Sequence, residues 1–242
     1  MRRFLILAKA NMLMNLRNRT TLFWNFAFPI GLILLYGLIW PSAISWLTAG
    51  IVVLNIMSSG LLGDSSRLTN LRERGILRRV RATPLPAWQF IAAYVLTRLL
   101  LVLGQSAAIV ATAVLVYRAE FTQSGLVAAL PLVIAGGLVF LAIGQVISAV
   151  APTSGAAGAI GQVVYFPLMF VSDLFIPSDQ LPSWLANATQ WTPATMLVDM
   201  IRPVLVPVPA HQTALVNLIG LAAYGALALF LAARLFRWEP QL

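Results

Sequence analysis

Six apolar runs set the terms for this chain: 22–40, 44–63, 99–117, 125–150, 156–177 and 214–233. A helix crosses the hydrocarbon core of a bilayer with about 20 residues, and each run reaches roughly that length. None alternates polar and apolar residues, and all exceed the ~10 residues of a barrel strand. Lipid also leaves no partner for an open backbone, which favours helices. The expected fold is therefore all-α, a membrane protein with six transmembrane helices. Composition agrees: 60% of the 242 residues are hydrophobic and 10% are charged, too few to cover a water-facing surface.

Charge gives the expected orientation. Lys+Arg total 16 against 7 Asp+Glu, a formal +9, and every basic residue but Lys9 is arginine. Arg2, Arg3, Lys9, Arg17 and Arg19 precede the first run; Arg67, Arg72, Arg74, Arg78, Arg79 and Arg81 follow the second; Arg234 and Arg237 follow the sixth. The other side collects Arg118 and Arg202, with Glu120, Asp179 and Asp199. The positive-inside rule then places both termini and the 64–87 loop of this multi-pass chain in the cytoplasm. With the basic residues assigned to one face of a bilayer, nucleic acid is not an expected partner. The stretch 1–20 reads as a retained interfacial helix, because Lys9 breaks its apolar run and no cleavage site follows. Arg98 is expected to snorkel to the cytoplasmic headgroups, with 87–97 extending the third helix; a place on a transport pathway is the alternative.

Several chemistries are absent from the sequence. There is no cysteine, so neither disulfides nor thiolate sites can form. No phosphate loop, His-Glu-x-x-His or Gly-x-Ser-x-Gly motif occurs, and no catalytic residue is nominated. His211 is the single histidine and lacks companion ligands, so no metal site is expected. An intramembrane enzyme would need polar groups converging at one depth, which scattered Gln and Asn residues do not suggest.

The most polar stretch is "LRERGILRRVRATPLPAWQF", starting at Leu71. Read as one helix over 67–81, with Gly75 tolerated or marking a break, it sets Ile76, Leu77 and Val80 on an apolar arc, Arg74, Arg78 and Arg81 beside it, and Arg72 with Arg79 on the other edge. That is the pattern of a helix on a membrane surface. Thr83-Pro84-Leu85-Pro86 then fixes a stiff turn. Glu73 places an anion where a lipid-only patch would avoid one, which points to a protein partner.

This stretch, with its Glu-x-Gly-x-x-x-Arg and Ala-Thr-Pro-Leu, resembles the cytoplasmic loop of type-2 ABC transporter permeases, the six-span membrane subunits of bacterial drug, antibiotic and polysaccharide exporters. A second stretch, "FPLMFVSDLFIP" running into "LPSWLANATQWTPATMLVDMIRP", is similar to the family's exofacial segment. The resemblance implies a coupling helix that docks on a separate cytosolic ATPase carrying Mg-ATP, with no cofactor on this chain, and two permeases, identical or not, paired with two ATPases. Carried over, the ATPase-coupling residues are Leu71, Arg72, Glu73, Arg74, Gly75, Ile76, Leu77, Arg78, Arg79, Arg81, Thr83 and Pro84. It implies a single permease domain over 1–242 that exports a hydrophobic drug-like or lipid-like substrate. An ATPase-independent secondary transporter or channel is the alternative, though no inverted repeat supports it.

Other polar positions complete the reading. Asp173 stands where many relatives have a small residue; it either reaches exofacial water or, with Gln105, Gln145 and Gln162, lines a substrate pathway. Asp199 and Arg202, three apart, are expected to pair on the exofacial side. Prolines interrupt 178–212, so short amphipathic or re-entrant helices are expected there, with Trp184 and Trp191 as interfacial anchors.

Overall fold

The computed structural model describes residues 9, 11–15, 17, 19–81, 87–176 and 180–235, which are helical or irregular with no strand among them. Helix α1 spans Arg19–Ile39 and carries Pro29 in its interior. After a 3-10 turn at Pro41–Ala43 come α2 (Ile44–Ser58), a π-helical turn at Ser59–Asp64, and α3 (Ser65–Glu73). α4 is Ile76–Arg81 and α5 is Ala87–Tyr117. α6 (Gln123–Val150) and α7 (Ser154–Val171) follow, then two short helices, α8 (Ser183–Thr189) and α9 (Pro193–Leu205), and finally α10 (Ala214–Leu235).

Five helices among the described residues are long and apolar enough to cross a membrane: Pro41–Glu73, Gln89–Tyr117, Gln123–Val150, Ser154–Val171 and Ala214–Leu235. For the expected first span, the apolar helix among the described residues is Asn25–Ile39, within α1. The second run does not stop at Gly63. No proline lies between Pro41 and Pro84, so the helix continues through the π turn as one rod to Glu73. The fifth run ends early, at Val171. Ser172 turns extended (φ −76°, ψ 150°), and its hydroxyl meets Thr192 Oγ1 at 3.1 Å, so a tertiary contact replaces helix continuation.

Local sequence explains the starts. Thr122, Thr153 and Thr192 each accept a hydrogen bond from the amide three residues on, at 3.1, 3.1 and 3.2 Å, the N-cap role that threonine fills well. Pro193 stands at the first position of α9, where its missing N–H costs nothing.

The Pro41–Glu73 rod is the axis of the bundle: 78% of its apolar window is buried, against 17% for α7 and 22% for α10. The exposed outer faces of α7 and α10 therefore look to lipid or to another chain. The π turn packs on α6 and α7, α3 on α6 and α7, and α9 among α2, α6 and α10. At the crossing of the rod with α6, Gly60 and Gly144 face each other so closely that a Cβ on either would overlap the other helix's backbone. Close approach through small residues is how helices associate in lipid, where no hydrophobic force draws them together. Gly75 is the only glycine with a positive φ among the described residues, at 67°. It ends α3 with its N–H donating to Arg72 O at 2.9 Å, a left-handed stop. Of the two expectations for Gly75 within 67–81, the break is the one observed: α3 and α4 meet there at an elbow.

Candidate functional site

The basic stretch divides into an inward and an outward set. Glu73, Arg74, Arg78 and Arg79 are exposed. Leu77 is buried against Leu68 and Phe90, with Leu71 packed beside them, and Gly75 and Ile76 are half-buried. Arg81 closes α4, while Thr83 and Pro84 lie outside the described residues. Arg72 departs from the expectation of a surface arginine: it is 2% exposed. Its Nη1 donates to Ser148 O at 2.8 Å and its Nη2 to Ala151 O, two carbonyls at the C-terminal end of α6. A helix C-terminus carries partial negative charge, so a buried cation there is favoured. The wheel misplaced Arg72 because it ran through Gly75, whose left-handed φ breaks the helical phase.

Arg98 does not snorkel. It is 6% exposed, its Nε stands 3.5 Å from Asp64 Oδ1, and its Nη2 donates to Ser59 O at 3.2 Å inside the π turn. Tyr94 donates its hydroxyl to the same Asp64 oxygen. Asp64 escaped the sequence reading because it sits one residue past the apolar run, where a loop was expected; a lone carboxylate that close to a span was the available signal.

Arg98 borders a cleft of about 590 Å³ between α1, the α2–π rod, α5 and α7. Asn25, Asn55, Ser58, Ser59 and Gln105 give it a polar floor, and Phe28, Leu54, Phe166 and Met169 give it apolar walls. Gln105, 3% exposed, accepts from Ser59 Oγ at 3.3 Å and donates to Asn25 O at 3.2 Å. Asn55 Nδ2 is buried with no hydrogen-bond partner among the described residues. The three glutamines nominated together do not converge. Gln145 lines a separate, mostly apolar cavity of about 300 Å³ with Leu68, Leu77, Phe90 and Tyr94, and Gln162 is exposed on α7.

At the opposite end, Asp173 is 1% exposed and lies in the turn after α7, reaching neither water nor the cleft. Arg202, expected on Asp199, is turned to Asp173 instead: its Nη1 meets Asp173 Oδ2 and its Nη2 the Asp173 carbonyl, while the guanidinium lies 3.7 Å over the Trp46 ring. Burial pulls Arg202 below its ordinary value against the pull of Asp173. Asp199 is occupied by other donors: His211 N at 2.7 Å, Gln212 N at 3.0 Å, Asn217 Nδ2 at 2.7 Å and His211 Nδ1 at 3.0 Å. Burial pushes the Asp199 carboxyl up, but these hydrogen bonds outweigh it and hold the group below the usual carboxylate range. Trp184 and Trp191 are both exposed.

Five membrane-length helices among the described residues make this a multi-pass membrane protein, and the family model for the ABC-2 type transporter matches residues 2–206. The chain belongs to that family. It is similar to Nodulation protein J of Bradyrhizobium diazoefficiens, 27% identical over 241 residues, covering 95% of this chain and 87% of that protein. Nodulation protein J of Rhizobium leguminosarum bv. trifolii is 30% identical over 109 residues (45% of this chain, 41% of that protein), and that of Rhizobium meliloti 28% over 109 residues with the same coverage. The match thus spans under half the length of these two relatives. Nothing in the relatives' names supports multidrug efflux, and that part of the expectation is withdrawn.

Proposed function

We propose that this chain is the permease subunit of an ATP-driven exporter, a single domain over 1–242 that moves a lipid-like amphiphile from the cytoplasmic side outward. In this reading α1 supplies the sixth crossing and the basic end faces the cytoplasm. Hydrolysis of Mg-ATP belongs to a separate ATPase, and two permeases work with two such subunits. The observation that carries the reading is the elbow at Gly75: it presents Glu73, Arg74, Arg78 and Arg79 to solvent at the tip of the central rod. A partner that grips the tip grips the bundle axis.

The cleft supports the amphiphile. Its floor offers side-chain amides and hydroxyls, and its walls are apolar, a combination that suits a cargo with a polar end and a greasy body.

The test is co-purification followed by hydrolysis. The native chain is expected to bring down a P-loop ATPase in equal amount. Glu73→Ala is expected to insert normally while the complex loses the hydrolysis that permease binding stimulates. Gly75→Pro should do the same, since proline cannot adopt φ near +67°. Undiminished stimulation in both variants removes the coupling role, and uphill transport by the chain alone under an ion gradient removes the ATPase.

A further inference from the structure

Chain connectivity alone would send a push on the elbow into the helices that flank it, α2 before and α5 after. The contacts of α3 lead elsewhere. Thr69 Oγ1 donates to Ser148 Oγ at 2.9 Å, both groups buried, and one helical turn on Arg72 grips the carbonyls of Ser148 and Ala151. Ala151 is fully buried and is the residue at which α6 turns into α7. On the α7 side, Gly158 faces Ser66 of α3 closely, and Gly161 packs on the Leu61 carbonyl of the adjoining π turn, where there is no room for a Cβ. The α3 helix is therefore fastened along its length to the α6–α7 hairpin. Its join to α4 is the short turn at Arg74 and left-handed Gly75, backed by Leu77 packing on Leu68 and Leu71.

We infer that Arg72 is a positioning residue that clamps α3 to the α6–α7 turn, so that motion entering at the elbow is delivered across space to α7 and not only along the chain to α5. α7 forms a wall of the cleft through Tyr165, Phe166 and Met169. Rocking that wall changes the shape of the cleft, while α5, with Arg98 and Gln105, forms the facing side. Arginine suits the clamp because its planar fork spans two carbonyls at once and stays charged when buried. Methionine has similar bulk but reaches neither carbonyl. This inference rests on the ATPase-coupling reading above.

The experiment compares hydrogen exchange in the permease–ATPase complex, in lipid nanodiscs, without nucleotide and with Mg-ATP trapped by vanadate. In the native complex trapping is expected to alter exchange both in 65–81 and in 151–171. In Arg72→Met the change in 65–81 persists and the change in 151–171 is lost. The absence of native cysteine makes a second variant clean: Thr69→Cys with Ser148→Cys, oxidised, joins α3 to α6 covalently where their hydroxyls already touch. In the otherwise native chain this staple leaves the response of 151–171 intact, and in Arg72→Met it restores the response until reductant is added.

A response in 151–171 that survives Arg72→Met overturns the clamp, as does a staple that abolishes the native response, since α3 and α6 would then have to slide. Should Arg72→Met fail to fold, the staple in the native chain still decides. A native complex that forms and hydrolyses ATP but shows no change in 151–171 also overturns the clamp alone. A chain that binds no ATPase overturns the reading beneath it.

Discussion

Two buried aspartate–arginine pairs sit toward opposite ends of the bundle, and they are held differently. Asp173 receives both terminal nitrogens of Arg202, on its side chain and on its own carbonyl, and Trp46 stacks on the guanidinium. Asp64 and Arg98 meet through a single 3.5 Å approach; Asp64 Oδ1 is shared with Tyr94, and Asp64 Oδ2 has no hydrogen-bond partner among the described residues. The first pair ties the turn after α7 to α9, which is packed into the bundle. The second bridges the π turn and α5 at the edge of the cleft. Removing two charges from solvent costs several kcal/mol each, recovered only where geometry is good. The Asp173 pair has that geometry and acts as an anchor, whereas the Asp64 pair is held loosely at the edge of the cleft.

The contrast can be broken by mutation. Arg202→Met leaves the Asp173 carboxylate buried without its cation and is expected to cost about 3–5 kcal/mol, read as the largest drop in thermal unfolding midpoint in detergent. Arg98→Met is expected to cost less, about 1–3 kcal/mol, because Tyr94 still donates to Asp64 and the adjoining cleft can supply water. Equal losses in the two variants would show that the pairs are alike and remove the distinction between anchor and joint.

The smallest effect concerns acid. The folded Asp199 carboxyl titrates below its ordinary 3.8, so its hydrogen bonds contribute stability that is complete above that value and lost as pH falls through the lower folded one. Asp199→Asn should therefore lower stability at neutral pH and flatten the decline below pH 3.8. A decline as steep as the native chain's would assign the acid response to another carboxylate.

Length and apolarity made most helices legible, and a glycine within a helical pattern marked the elbow. What stayed hidden was partner choice. Asp199 and Arg202 have the spacing of an intrahelical pair, yet Asp199 is claimed by donors from 211–217 and Arg202 by a residue 29 positions away. Spacing measures which groups can meet, and tertiary competition decides which do. Arg98 and Asp64 are likewise joined across 34 positions, so a reading limited to one span at a time sends Arg98 to the headgroups. The resemblance of the basic stretch to its family located the elbow but gave no sign that one of its arginines points inward.

The unbroken rod from Pro41 to Glu73 has 33 residues. At 1.5 Å per residue it reaches about 50 Å, some 20 Å more than the hydrocarbon thickness. A helix of that length overruns the hydrocarbon even when tilted, so at least one of its ends stands at the headgroups or beyond them.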